Sequence, residues 1–262
     1  MIKGKKIAVV LGGGAACGFA HVGVLRVLEE NAIEPDIVVG TSMGAIVGGY
    51  YCSGASSADM DELVKRFKRV DIFEINLLIK NKSILNTNKI EKLLKEITQE
   101  KNIEDCSMVF RAVATDLVNG KEVIIDKGPI WKAARASMAI PSIFPPFEID
   151  GVELFDGGLL NNVPSDIAYE LGADYVIAVD VTQYHNLKKE NNWILPSLYN
   201  TILLMQQEIV NLKTKCDCLI KPDLKGVSLE RYDPGEIQLA VDIGYKEAIS
   251  VIDKIKKDLK IK

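Results

Sequence analysis

The sequence predicts an α/β protein whose mostly parallel sheet is covered by helices on both faces. Short apolar runs, typical of buried strands, alternate along the chain with longer stretches whose apolar residues recur at helical spacing. Glycine-rich turns follow two of the first apolar runs, as expected where a strand turns into a helix. Strands that are buried on both faces are continuously apolar, so the pattern favours a sheet between layers of helices.

The first half of the chain alternates strand and helix. Phe19, Val22 and Leu25 recur at the spacing of one helix face, and the preceding run of β-branched residues is typical of a strand. In chain order, the predicted elements are a strand at Ile7–Leu11, a helix at 18–30, a strand at 36–39, a helix from Met43, and amphipathic helices at 57–70 and 87–100, the last with cap candidates at 86–88.

The second half continues the alternation after a predicted hairpin. The dipeptide Asn119-Gly120 lies between two strand-like runs, which is a turn signal for antiparallel strands. The predicted elements are strands at 108–115 and 122–126, a helix at 129–138, a strand at 152–155, a helix at 165–171, a strand at 175–181, a long helix at 196–213, a strand near Leu219 and a final helix from about Glu236.

Composition limits the classes of function. Neither a repeat nor a linker divides residues 1–262, so the sequence predicts one domain with a large core. A net charge of −4 and a pI of 5.4 give no electrostatic footprint for nucleic acid. Five cysteines without a Cys-x-x-Cys pair, and only two histidines, favour neither a metal site nor a disulfide framework. The odd cysteine count is typical of a reducing compartment.

The apolar segments predict a cytoplasmic protein. The run Ile7–Leu11 is shorter than the core of a secretion signal, and no apolar run is long enough for a transmembrane helix. The apolar stretch at 194–205 is interpreted first as core, and the Lys-rich C-terminal helix first as a solvated face. The second interpretation of both is peripheral contact with a membrane surface.

Ser42 is the candidate nucleophile. It lies in Gly-x-Ser-x-Gly, directly after the second strand and directly before the helix that begins at Met43. A nucleophile elbow needs this context, because a sharp strand-to-helix turn tolerates only small neighbours and exposes the hydroxyl. The positive end of the helix dipole at Met43 would favour a developing alkoxide. The alternative is a serine that only caps the helix.

Gly12, Gly13 and Gly14 form a loop between the first strand and the first helix. A dinucleotide fingerprint needs a glycine where Cys17 stands, and a P-loop needs a lysine where Phe19 follows Gly18. Two interpretations remain. The loop is a flexible turn, or it presents backbone N–H groups as an oxyanion hole close to Ser42, with Met43 as a further oxyanion or substrate-binding candidate.

A serine nucleophile needs a general base, and three residues are candidates. His185 completes the chain order of a Ser–Asp–His triad but lies in a polar stretch that is typical of a loop. His21 falls near the apolar face of the first helix, which favours a packed or hydrogen-bonded core residue. Asp156 follows a strand and precedes two glycines, so it is expected at the carboxyl edge of the sheet beside Ser42. Burial would raise the pKa of Asp156 toward neutrality, and the alternative is a turn cap.

Four ordered blocks resemble the patatin-like phospholipase family. They are LGGGAACGFAHVGVL, GTSMGA, ASMAIPSIFPPF and DGGLLNNVP, and together they span residues 7–183, while no block is placed in the last third of the chain. The resemblance implies a three-layer α/β/α sandwich and a Ser–Asp dyad without histidine. It implies Ser42 as nucleophile, Asp156 as base and Gly12 to Gly14 as the donor loop.

The resemblance also implies hydrolysis of fatty acyl esters in phospholipids, lysophospholipids or related esters, without a cofactor. The alternatives are an acyltransferase that shares the acyl-serine and a non-catalytic lipid-binding or regulatory protein. One residue departs from the family pattern, because Cys17 stands where Arg or Lys is usual. A position near a helix N-terminus lowers a thiol pKa, so Cys17 is either a reactive thiol or a buried, inert one.

Overall fold

The computed structural model describes residues 4–60, 64, 87–141, 143–182, 194–227 and 234–261, with backbone only for 194–199. Within these ranges eight strands form one sheet in the order β5-β6-β3-β2-β1-β7-β8, and β4 pairs with β3. The strands are β1 Ile7–Leu11, β2 Ile37–Thr41, β3 Val109–Asp116, β4 Lys121–Ile125, β5 Phe147–Ile149, β6 Val152–Asp156, β7 Tyr175–Val179 and β8 Cys218–Ile220.

Most of the described helices lie between these strands in the chain, and the last one follows β8. They are α1 Ala20–Glu30, α2 Met43–Cys52, α3 Asn88–Thr98, α4 Ile130–Ser137, α5 Ser165–Glu170, α6 Ile194–Lys213 and α7 Pro234–Leu259, with short 3-10 turns at Ala15–Phe19, Ile103–Asp105 and Gly157–Leu159. Five strands, β3, β2, β1, β7 and β8, are joined by parallel pairings, as the continuous apolar runs predict.

Helices cover both faces of the sheet, so the three-layer α/β/α prediction is confirmed. Alternate residues of β1 point to opposite faces: Ile7, Val9 and Leu11 belong to one apolar cluster, and Ala8 and Val10 to another. The first cluster is completed by residues of α1, α2, α3, α4 and α7. The second is completed by residues of α5 and α6.

The structure differs from the sequence prediction at two places between residues 87 and 156. A short strand at Phe147–Ile149 pairs antiparallel with β6 and was not predicted. Thr87 precedes α3, but its hydroxyl donates to Glu91 Oε1 at 2.7 Å instead of capping the backbone. Of the helix predicted at 57–70, residues 57–60 and 64 are helical, and the others lie outside the described residues.

Candidate active site

Ser42 and Asp156 meet at one edge of the sheet, although their strands run in opposite directions. Thr41, at the end of β2, pairs with Val113, and Asp156, at the end of β6, pairs with the adjacent Ala114. Asp156 was expected at the carboxyl edge as the end of a parallel strand. Instead, β6 is antiparallel to β3, and its last residue, Asp156, lies at the same edge of the sheet although the strand runs in the opposite direction.

The backbone at Ser42 has the geometry of a nucleophile elbow. Its φ of 55° and ψ of −120° lie in a region that costs a non-glycine residue about 1–3 kcal/mol. The flanking glycines are needed because a methyl group on Gly40 would lie 2.5 Å from the Gly44 carbonyl oxygen, and one on Gly44 would meet the backbone carbonyl of Leu11. Close packing of strand against helix therefore explains the Gly-x-Ser-x-Gly spacing.

Ser137 holds the turn in place. The Ser42 N–H donates to Ser137 Oγ at 2.8 Å, and the Ser137 hydroxyl donates to the Val113 carbonyl at 2.5 Å. Ser137 ends α4 and is fully buried, so it ties the elbow to the neighbouring strand. Sequence reasoning did not single out Ser137, although it lies inside the block ASMAIPSIFPPF.

Asp156 lies beside Ser42. Its carboxylate interacts with the Ser42 side chain, the Gly158 N–H donates to Asp156 Oδ1 at 2.8 Å, and the side chain is buried. Burial raises the pKa of Asp156 to about 6, and the interactions with Ser42 and Gly158 oppose that rise. Asp156 therefore caps the following turn and is paired with Ser42, so the two sequence interpretations are compatible.

The three glycines of the loop have different roles in the structure. The Gly12 N–H donates to the Val179 carbonyl at 3.0 Å, and the Gly13 N–H donates to the Asn162 carbonyl at 3.1 Å. Because both groups are already bonded, neither is a free donor in this structure, whereas the resemblance implied all three glycines as the donor loop. The N–H groups of Gly14 and Met43 donate to no residue in the described part of the chain.

Of the two candidate histidines, His21 lies among the described residues and His185 does not. His21 is fully buried beneath the loop and donates from Nε2 to the Gly12 carbonyl at 2.7 Å. Burial lowers its pKa to about 4, so the ring is neutral at physiological pH and supports the loop from inside the core. His185 lies outside the described residues, and its assignment as a loop residue stays a prediction.

Cys17 is fully buried, and its sulfur lies 3.9 Å from the Val227 carbonyl oxygen. Burial, with a smaller contribution from Glu236, raises the pKa of Cys17 to about 12, opposite to the shift expected for a reactive thiol. We therefore expect iodoacetamide to leave Cys17 unmodified in the folded protein and to alkylate it after unfolding in urea, as measured by peptide mass spectrometry. Labelling of Cys17 in native protein with loss of esterase activity would contradict this expectation.

A small cleft lies above the Ser42–Asp156 pair. Its volume is about 20 Å³, which is room for one water molecule. Helix α6 closes it from above with Ile202, Leu203 and Gln206, while the adjacent Leu204 and Met205 are exposed to solvent. The stretch at 194–205 was interpreted as core first and membrane surface second; within its described side chains, one part is buried over the cleft and the other faces outward.

A serine at a strained strand-to-helix turn, beside a buried carboxylate and a glycine loop, has the geometry of a nucleophile elbow. Comparison with known proteins gives the family. The profile of the family described as Patatin-like phospholipase matches residues 9–169. This chain therefore belongs to the patatin-like phospholipase family.

Relatives agree with this assignment, and a solved structure has a similar fold. Patatin-like phospholipase domain-containing protein 6 of Mus musculus is 34% identical over 187 residues, covering 69% of this chain and 14% of that protein. An uncharacterized NTE family protein of Mycobacterium tuberculosis is 36% identical over 176 residues, covering 67% of this chain and 49% of that protein. VipD from Legionella pneumophila has a similar fold, with a TM-score of 0.60 at 15% identity over 95% of this chain and 67% of that chain.

Among the described helices, none is long and apolar enough to cross a membrane.

Proposed function

We propose that this chain is a serine lipid acyl hydrolase that cleaves fatty acyl esters of phospholipids, lysophospholipids or related esters. The observation that carries the proposal is that Ser42, at a strained elbow, lines the same small cleft as the buried Asp156 carboxylate and interacts with it. Family membership supports the lipid substrate class. The exposed apolar residues Leu204 and Met205 beside the cleft support peripheral contact with a lipid surface, and five free cysteines support a cytoplasmic location.

The reaction has two halves. Ser42 Oγ attacks the ester carbonyl carbon as its proton passes to Asp156, and the alcohol of the substrate leaves with that proton. The free N–H groups of Gly14 and Met43 are the donors that we assign to the oxyanion of each tetrahedral intermediate, with the positive end of the α2 dipole behind Met43. Water then attacks the acyl-Ser42 ester and releases the fatty acid.

Active-site labelling tests this proposal directly. A fluorophosphonate should modify Ser42, as mapped by peptide mass spectrometry, and prior treatment with substrate ester should slow the labelling. Absence of labelling in folded protein that also lacks esterase activity would favour the non-catalytic lipid-binding alternative. Turnover that needs an added alcohol would favour the acyltransferase.

The raised pKa of Asp156 sets the expected pH profile. Asp156 accepts a proton only as the carboxylate, so kcat/KM should rise as pH increases through about 6 and level off above pH 7. The rise reports the pKa in the free enzyme, and it is measured with a p-nitrophenyl ester from pH 4 to 9. A limb near pH 4, the ordinary range of a carboxyl group, would show that burial does not raise the pKa of the general base.

Helix α6 should limit the size of the acyl chain, because the cleft beneath it is much smaller than a lipid chain. Leu203 is buried over the cleft and Leu204, its neighbour, is 48% exposed. Leu203→Ala should raise kcat/KM for a long-chain p-nitrophenyl ester relative to the acetate by about tenfold. Leu204→Ala is the matched control and should leave the ratio unchanged. Equal ratios in both variants would show that Leu203 does not restrict the acyl chain.

A further inference from the structure

Asn162 is a buried residue whose amide has one atom without a partner. Its Nδ2 donates to the Gly13 carbonyl at 3.1 Å and to Thr182 Oγ1 at 2.8 Å, while its backbone carbonyl accepts the Gly13 N–H. The side chain is fully buried, and no donor from the described residues reaches Oδ1. Because the Gly13 carbonyl can only accept, it fixes which amide atom is nitrogen, and Oδ1 is the atom left free.

The free oxygen faces the reacting groups. A methyl group on Gly158 would lie 2.5 Å from Asn162 Oδ1 and 3.0 Å from Asp156 Oδ1, and one on Gly13 would lie 2.5 Å from Asn162 Oδ1 and 3.2 Å from Ser42 Cβ. The missing side chains of these glycines therefore leave a space shared by Ser42, Asp156, Asn162 and the Gln206 amide, whose Nε2 would also lie 2.5 Å from the methyl group on Gly158. All four residues line the cleft that has room for one water molecule. A buried acceptor is destabilising unless a donor reaches it.

We propose that Asn162 Oδ1 orients the water that hydrolyses the acyl-Ser42 ester, an inference that rests on the proposed function. One water O–H donates to Asp156 and the other donates to Asn162 Oδ1. The water oxygen forms a bond to the acyl carbonyl carbon as its first proton passes to Asp156. The bond from that carbon to Ser42 Oγ then breaks, Ser42 takes the proton back from Asp156, and the free carboxylic acid leaves.

The arrangement selects water over other acceptors of the acyl group. Water has two O–H groups and can satisfy Asp156 and Asn162 together. An alcohol has a single O–H, so its attack would leave Asn162 Oδ1 unpaired and place a carbon substituent against it. Asn162 thereby favours hydrolysis over transfer, which is the choice that separates a hydrolase from an acyltransferase on the same acyl-serine.

Partition of the acyl group between water and methanol tests the role of Asn162. A p-nitrophenyl ester is turned over in buffer with methanol, and the methyl ester and free acid are quantified by mass spectrometry. Asn162→Leu should raise the ratio of ester to acid about tenfold, the effect of losing one hydrogen bond. Thr182→Val is the control, because it removes a partner of Nδ2 and leaves Oδ1 in place, so the ratio should stay at the wild-type value.

The ratio separates a catalytic role from a structural one. Loosening the glycine loop slows attack by water and by methanol alike, because both pass through the same oxyanion site, so it changes the rate and not the ratio. An unchanged ratio in active Asn162→Leu or Asn162→Ser protein would overturn the proposal. So would wild-type protein that transfers the acyl group to methanol more readily than to water, mole for mole, a measurement that needs no variant. Wild-type protein with no turnover and no labelling of Ser42 would instead overturn the proposed function.

Discussion

Ser42→Ala and Asp156→Asn should each lower kcat for ester hydrolysis by about 10⁴-fold or more, and the double variant should be little worse than either one. The reason is that the two groups act in one step. Without the hydroxyl no acyl-enzyme forms, and without the carboxylate nothing accepts the hydroxyl proton. Losses that simply multiply in the double variant would show that Ser42 and Asp156 act independently.

Two controls accompany these variants. Asp150→Asn removes a carboxylate from the exposed turn between β5 and β6, where asparagine tolerates the φ of 52°, so activity should be retained. His185→Ala should also keep most of the activity, because the proposed dyad needs no histidine. A folded but inactive His185→Ala protein would reject the dyad and support a Ser–Asp–His triad. Circular dichroism and thermal melts establish that each variant is folded.

The central sheet was predictable because its strands are apolar on both faces. Runs such as Ile7–Leu11 and Tyr175–Val179 are buried at every residue. A run of this kind can be recognised as a strand without knowing which strands pair with it. The strand at Phe147–Ile149 was missed because it directly follows Pro145 and Pro146, and such a dipeptide is typical of a loop. A local signal was available, since Asp150-Gly151 is a hairpin dipeptide and both residues have positive φ.

The candidate site was predictable only where its chemistry is local. The elbow glycines and the Asp-Gly-Gly turn carry their constraint within a few residues, so Ser42 and Asp156 could be proposed from spacing alone. Asn162 binds Gly13 from 149 residues away, and the helix that closes the cleft belongs to the last third of the chain. Contacts of this kind depend on the topology of the sheet, which brings β1 beside β7, and no short motif encodes them.

Gly13→Val should reduce turnover by on the order of 10²–10³-fold, the usual cost of losing one oxyanion donor. The structure gives a steric reason. A Cβ at Gly13 would lie 2.5 Å from Asn162 Oδ1 and 3.2 Å from Ser42 Cβ, so the loop must shift away from the serine. That shift would also move the free N–H of Gly14. The side chain at Gly13 would therefore disturb the oxyanion site although the Gly13 N–H itself is bonded to Asn162.

Gly120→Val is the matched control, because Gly120 lies in the exposed β3–β4 hairpin with open space around its Cα. Its φ of +63° makes valine strained there, so this variant should lose stability while the folded fraction keeps its turnover.

Burst kinetics with a p-nitrophenyl ester then locate the defect in Gly13→Val. Acylation and deacylation should both slow, because each passes through an oxyanion held by the same donors. A normal rate in folded Gly13→Val protein would mean that the loop is a turn without a catalytic role, and a defect confined to deacylation would place the damage at Asn162 instead of at the oxyanion site.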